Sequence, residues 1–443
     1  MEIKLSDHFT YGRLLKFVFP SVIMMIFTSI YGIVDGIFVS NYVGETPFAA
    51  INLTWPVIML MAALGFMVGS GGNAVVSKAL GEGDPQRANR YFSLLVYATI
   101  VSGILIATIG TIFKREICVL LGSDGELMDN CIIYMKVLLP VVPIFMLQNV
   151  FQSLCITAEK PRFGLYVTIA AGVSNIILDA LFIVGFGWGI IGAAIATAMS
   201  QIIGGLVPLI YFAFKNTSLL RLTKTKFEGK VLLKTCTNGS SELMTNISMS
   251  LVNILYNFKL MELAGENGIN AYGIIMYINF TFVAVFIGYS IGCAPIIGYN
   301  YGAKNTSELR NMFKKSLTVL TIAGVLLTFT AEGSAELLAK IFVSQNPELV
   351  EMTKHGFRLY SIAFLFMGFN IFSSAFFTAL GNGAVSAFIS FTRTLVFQVV
   401  PLMILPRIFG VDGVWLAIVV AEFIGIVVSF TFFRKMKGRY GYA

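Results

Sequence analysis

The chain has 443 residues, 57% of them hydrophobic and only 12% charged, with a mean hydropathy of +0.82 and a net charge of +8. A soluble domain of this length carries about 25% charged residues, so this composition excludes an ordinary soluble globular protein. The basic residues lie in connecting loops, which argues against a nucleic-acid partner. Two histidines and five scattered cysteines without a CxxC pair argue against a zinc, haem or iron–sulfur centre, and no cofactor is expected.

Apolar blocks of about 20 residues, long enough to cross a bilayer, recur along the whole chain. In chain order they predict helices near 14–39, 51–77, 92–113, 134–156, 163–185 and 190–212, then, after a basic linker, near 236–261, 270–298, 314–331, 355–378, 385–406 and 412–433. The first block has no small-residue cleavage site and reads as a retained helix, not a signal peptide. With the N-terminus inside, 22 Lys and Arg residues fall in inner segments and 8 in outer ones, with Arg393 inside a helix. The positive-inside bias therefore predicts a multi-pass protein of the inner (plasma) membrane with both termini cytoplasmic.

Shifted by 221, residues 29–204 align with 250–425 without a gap and with 27 identical pairs in 176 positions. The densest match sets "FMLQNVFQSLCITA" (145–158) over "FMGFNIFSSAFFTA" (366–379). Duplication explains this better than shared composition. The expected fold is an all-α integral membrane protein of twelve transmembrane helices in two six-helix lobes, related by a pseudo-two-fold along the membrane normal. The N-terminal lobe would span 1–212, a cytoplasmic linker 213–235, and the C-terminal lobe 236–443. Two matched lobes around a midplane pathway are transporter architecture, although architecture alone names no substrate.

Charges within the predicted spans are few: Asp35, Asp179, Glu242, Arg393 and Glu422, with Lys259 near a helix end. Each central charge costs about 2.5–3.5 kcal/mol on insertion scales and therefore suggests a role. At the 221 offset Asp35 aligns with Tyr256 and Asp179 with Val400, so the acidic pair belongs to one half only. Asn175 and Asp179, four residues apart, share a helix face. If Asp35 and Thr197 pack beside them, two carboxylates, an amide and a hydroxyl converge. Such oxygen ligands suit Na+, and two carboxylates close together in a low dielectric can instead hold H+. The competing reading is that Asp35 and Asp179 are separate, hydrogen-bonded packing residues.

Pro20, fifteen residues before Asp35, permits either an ion-responsive hinge or a fixed kink. Glu242 has two readings as well: a second proton or cationic-substrate site, or an interfacial carboxylate. The glycines of "GFMVGSGG" (65–72) lack the Lys-Ser/Thr of a phosphate loop and read as close helix packing. No nucleophile–base pair appears, since His8 and His355 sit at span edges, so an enzyme is not expected and there are no catalytic residues to name.

The stretches "VDGIFVSNYVGETPFAAINL" and "VSKALGEGDPQRANR" in the first half, with "NGINAYGI", "APIIGYNYGAKNTSELR" and "TALGNG" in the second, resemble the multidrug and toxic compound extrusion (MATE) family, in its bacterial form, over essentially the whole length. The resemblance implies export of small organic cations in exchange for Na+ or H+ by alternating access, by a carrier that works as a monomer in the lipid bilayer. It implies that the coupling-cation site falls on Asp35, Asn175, Asp179 and Thr197, and that Pro20 is the bending proline. Some members use acidic residues of the second lobe, a role for which only Glu242 is available here. The alternative within transport is a lipid-linked saccharide flippase of the same superfamily.

Overall fold

A computed structural model describes residues 3–343 and 346–442, apart from the side chain of Glu45. Among these residues the secondary structure is entirely helical. The first lobe holds α1 (Tyr11–Tyr42), α2 (Glu45–Gly81), α3 (Pro85–Ile112), α4 (Lys114–Leu120), α5 (Gly125–Leu138), α6 (Val142–Thr157), α7 (Pro161–Asp179) and α8 (Gly189–Ala213). The second holds α9 (Gly229–Gly302), α10 (Thr306–Phe342), α11 (Pro347–Ser361), α12 (Phe364–Ala379), α13 (Gly383–Phe391), α14 (Phe397–Ile404), α15 (Pro406–Phe409) and α16 (Val411–Tyr440).

Local chemistry explains the ends. Thr10, Asp84 and Asn305 each accept a backbone N–H of the first turn of α1, α3 and α10, and prolines open α3, α7 and α11 where a missing N–H costs nothing. α5 and α6 form one span, joined by a 3₁₀ turn at Leu139–Val141 around Pro140.

Among the described residues ten helices are long and apolar enough to cross a membrane, and α11 with α12, bent by 53°, forms an eleventh crossing. The twelfth comes from α9, whose 74 residues are broken at Gly265 (φ 61°, ψ −150°) into two crossings, 229–264 and 266–302. Gly44 (φ 107°), its match at the 221 offset, makes the corresponding break between α1 and α2. Both breaks use a backbone conformation that side chains disfavour.

Several helices outrun the hydrophobic blocks that predict them. α10 extends to 306–342 around an expected 314–331, and α9 begins at Gly229, inside the expected linker. The reason is that helices continue past the bilayer for as long as capping and packing support them, whereas hydropathy marks only the apolar stretch. The segment 214–228 has no regular secondary structure and is docked on α3: Arg221 N donates to Asn89 Oδ1 (2.7 Å) and Thr223 N to Ser93 Oγ (2.8 Å).

The lobes meet through glycines near the face where residues 3–10 and 440–442 lie. A Cβ on Gly71 would strike Thr235 O of α9, and one on Gly239 would strike Met67 O. In the symmetry-related contact, a Cβ on Gly292 would stand 2.7 Å from Val18 Cγ1 and one on Gly288 2.6 Å from Val22 Cα. Within the first lobe Gly65 and Gly69 lie against Met146 and Val150 of α6, so the glycines of 65–72 do serve close packing.

On the same face the segment before α1 bridges the lobes. Leu5 N donates to Glu159 Oε1 (2.6 Å) of the first lobe. Phe9 N donates to Glu308 Oε1 (3.0 Å) of the second, where His8 Nδ1 also meets Glu308 Oε2 (2.7 Å). Leu5 and Phe9 are fully buried.

Candidate functional site

Asp35 lies on α1 and Asp179 on the last turn of α7. Gly172, two turns before Asp179, has no room for a Cβ: Phe27 Cε1 would stand at 2.6 Å and Tyr31 Cδ1 at 2.8 Å. This close approach of α1 and α7 brings the acidic pair together. Tyr31 is one turn from Asp35 on the same helix face, so the contact that seats Tyr31 on Gly172 also points Asp35 toward Asp179. The Asp35 carboxyl adjoins the side chains of Asp179 and Asn175.

The set is largely withdrawn from solvent. Asp179 is fully buried, Asn175 is 2% exposed, and Asp35 and Thr197 are half-buried. Asp35 Oδ1, both oxygens of Asp179 and Asn175 Nδ2 are buried without a protein hydrogen bond among the described residues. Two carboxylates with orphaned oxygens are unstable as a pair of bare anions. The donor set of carboxylate, amide and hydroxyl oxygens fits a proton or a hard monovalent cation. No group of three or more His, Cys, Asp or Glu side chains suited to a metal ion occurs among the described residues.

Thr197 of α8 joins the set through Tyr134 of α5, whose ring is 2% exposed. The Tyr134 hydroxyl adjoins Thr197, and both carboxylates are close enough to act on it. Sequence reasoning missed Tyr134, because a tyrosine opening a predicted span carries no periodic signal. Immediately after Asp179, residues Ala180–Gly185 wind as a π-helix, a local irregularity common at functional positions.

Two other predicted residues lie apart from this set. Pro20 is buried within α1, which runs as one helix from Tyr11 to Tyr42, and lines a surface groove with Lys16, Phe19 and Arg162. Glu242, on the first half of α9, lies beside Ser70 of α2 and within electrostatic range of Arg393. Arg393 itself pairs with Glu422, with NH1 3.3 Å from Oε1.

The model of the MatE family matches the chain twice, over residues 20–181 and again over 243–404. The chain belongs to the MatE family. The double match coincides with the internal duplication, and the family is one of membrane transporters, not enzymes. Among its relatives, the multidrug export protein MepA of Staphylococcus haemolyticus (strain JCSC1435) is 25% identical over 414 residues, covering 93% of this chain and 90% of that protein. Two solved structures share the fold at a TM-score of 0.93 and 22% identity, covering 98% of both chains in each case. One is a MATE protein in complex with MaL6, the other an outward-facing conformation of a multidrug resistance MATE family transporter of the MOP superfamily.

Proposed function

We propose that this protein is a secondary active multidrug exporter of the plasma membrane, taking up Na+ or H+ at Asp35, Asp179, Asn175 and Thr197 in exchange for organic cations. The observation that carries the reading is the meeting of Asp35 with Asp179 in a buried site where Asp35 Oδ1 and both Asp179 oxygens have no protein hydrogen bond among the described residues. Likeness to proteins named for multidrug export adds support.

With both termini cytoplasmic, as the loop charges predict, the glycine contacts close the cytoplasmic side and the carrier faces outward. In that state a cation enters the acidic pair, offsets part of its negative charge and favours release of the exported molecule. The cation-loaded lobes, residues 1–212 and 236–443 about the linker 213–235, then rock to the inward-facing state. There the cation leaves, and the freed carboxylates favour reloading with drug. Pro20 supplies compliance in α1 during this exchange, and Glu242 serves as a secondary site for the positively charged substrate. The carrier works as a monomer within the lipid bilayer and needs no cofactor.

The flippase alternative requires a cationic cleft for a pyrophosphate, and the engagement of Arg393 by Glu422 counts against it. The deciding experiment is efflux of a fluorescent organic cation from proteoliposomes under an imposed Na+ or H+ gradient. Wild type should respond to one of the two gradients, and Asp35→Asn should insert normally yet lose the response. Undiminished gradient-driven efflux by Asp35→Asn would overturn the assignment.

A further inference from the structure

The second lobe contains a buried charge cluster that the proposed cycle does not use. Arg393, carried on a π-helical turn at Thr392–Val396, places NH1 3.3 Å from Glu422 Oε1, with the two side chains 13% and 2% exposed. The other carboxylate oxygen accepts Asn370 Nδ2 at 2.7 Å, and that amide nitrogen also donates to Glu422 O at 2.9 Å. Asn370 Oδ1 in turn accepts Ser429 Oγ at 2.9 Å. Gly425, one turn beyond Glu422, leaves the room this requires, since its Cβ would stand 2.7 Å from Asn370 Nδ2 and 3.4 Å from Arg393 Cγ. The other titratable groups facing the pair are Glu242 on α9, which senses Arg393, and Tyr256 and Tyr360, which sense Glu422.

The repeat makes the comparison between lobes specific. At the 221 offset, Asn370 matches Asn149, Glu422 matches Gln201 and Gly425 matches Gly204, while Arg393 matches Gly172. The first lobe thus has a neutral amide, Gln201, where the second has Glu422. It has a glycine where the second has Arg393, and that glycine is the one whose close packing brings Asp35 to Asp179. Each lobe buries carboxylate charge around its π-turned helix, and only the second supplies a basic side chain to neutralise it.

We infer that Arg393 is a tethered cation: its guanidinium permanently does at Glu422 and Asn370, a different position in the repeat, what an exchangeable cation does at Asp35 and Asp179, so that only the first lobe answers to the coupling ion. The inference rests on the proposed cation site of the first lobe. Removing the guanidinium while keeping Glu422 should therefore open a cation site where the wild type has none, one that takes a free guanidinium ion, Na+ or H+.

The test uses the full-length protein and reads thermal unfolding in detergent. Arg393→Met should unfold at a lower temperature than wild type. Guanidinium chloride at low millimolar concentration, compared with choline chloride at equal ionic strength, should restore it, as should acidification. Arg393→Met/Glu422→Gln, which removes both charges, should fold, lack this response and retain gradient-driven efflux within about three-fold of wild type. A single variant as stable as wild type with no cation or acid response overturns the inference, as does a double variant that fails to fold or loses efflux by more than about ten-fold. If the single variant cannot be purified, the double variant decides. The response of Arg393→Met should persist when Asp35→Asn is added. Failure of the first-lobe reading would appear instead in the efflux of Asp35→Asn alone, so the two failures are distinguishable.

Discussion

Gly81 and Gly302 face one another across the lobe boundary in a reciprocal contact. A Cβ on Gly81 would enter Tyr299 O, and a Cβ on Gly302 would enter Lys78 O. Each glycine lies three residues beyond the carbonyl that receives its partner, and both pairs are related by the same 221 offset as the internal repeat. The Gly71–Gly239 and Gly292–Val18 contacts obey the same relation. The closed face is therefore built twice from one ancestral contact, backbone against backbone. Such contacts separate without leaving large side chains stranded, a property suited to lobes that rock.

A methyl group in this interface should wedge it. Gly302→Ala should destabilise the closed face by about 1–3 kcal/mol, the range for overpacking, and shift the population toward separation on that side. Spin labels at the exposed positions Arg90 and Arg310 should report a longer distance in Gly302→Ala than in wild type. An unchanged distance distribution would mean that the contact does not govern closure.

The acidic pair should behave as one unit. Asp179→Asn should lose gradient-driven efflux as completely as Asp35→Asn, and the double variant should be no worse than either single one, because residues acting on one bound cation are not additive. Initial efflux rates of the three variants in proteoliposomes measure this. Additive losses would indicate two independent roles.

Tyr134→Phe keeps the ring and removes the hydroxyl that adjoins Thr197 within electrostatic range of both carboxylates. Loss of one polar contact of about 1 kcal/mol corresponds to about a five-fold weakening. The cation concentration for half-maximal efflux should rise by that factor, with the unfolding temperature almost unchanged. A pure packing role for Tyr134 predicts the reverse pattern.

The bridging segment should respond to Glu308. This carboxylate holds Phe9 N at 3.0 Å and His8 Nδ1 at 2.7 Å, and Asn311 Nδ2 also donates to it at 2.7 Å. Glu308→Ala leaves Phe9 N without its acceptor at a cost of about 1–3 kcal/mol. Protease cleavage within residues 3–10 should become faster in the variant. Equal cleavage rates would show that burial of Leu5 and Phe9 alone holds the segment.

Much of this protein is legible from its order of residues. The helical class, the twelve crossings, the duplication and the positions of the costly charges all follow from local hydropathy and self-similarity, because a bilayer requires every spanning backbone to satisfy its own hydrogen bonds. Which charges meet is a different matter. Arg393 and Glu422 are 29 residues apart on different helices, and nothing local distinguishes Glu422 from Glu242 as the partner. That choice depends on how each helix is rotated about its axis, which is set by the glycines that let neighbouring backbones approach. The same packing turned Asp35 toward Asp179 and brought Tyr134 to Thr197. The sequence by itself determined how many times the chain crosses and what charge it must bury, and only the tertiary structure decided that one lobe pairs its buried carboxylate with an arginine while the other sets two carboxylates side by side, with no basic partner among the described residues.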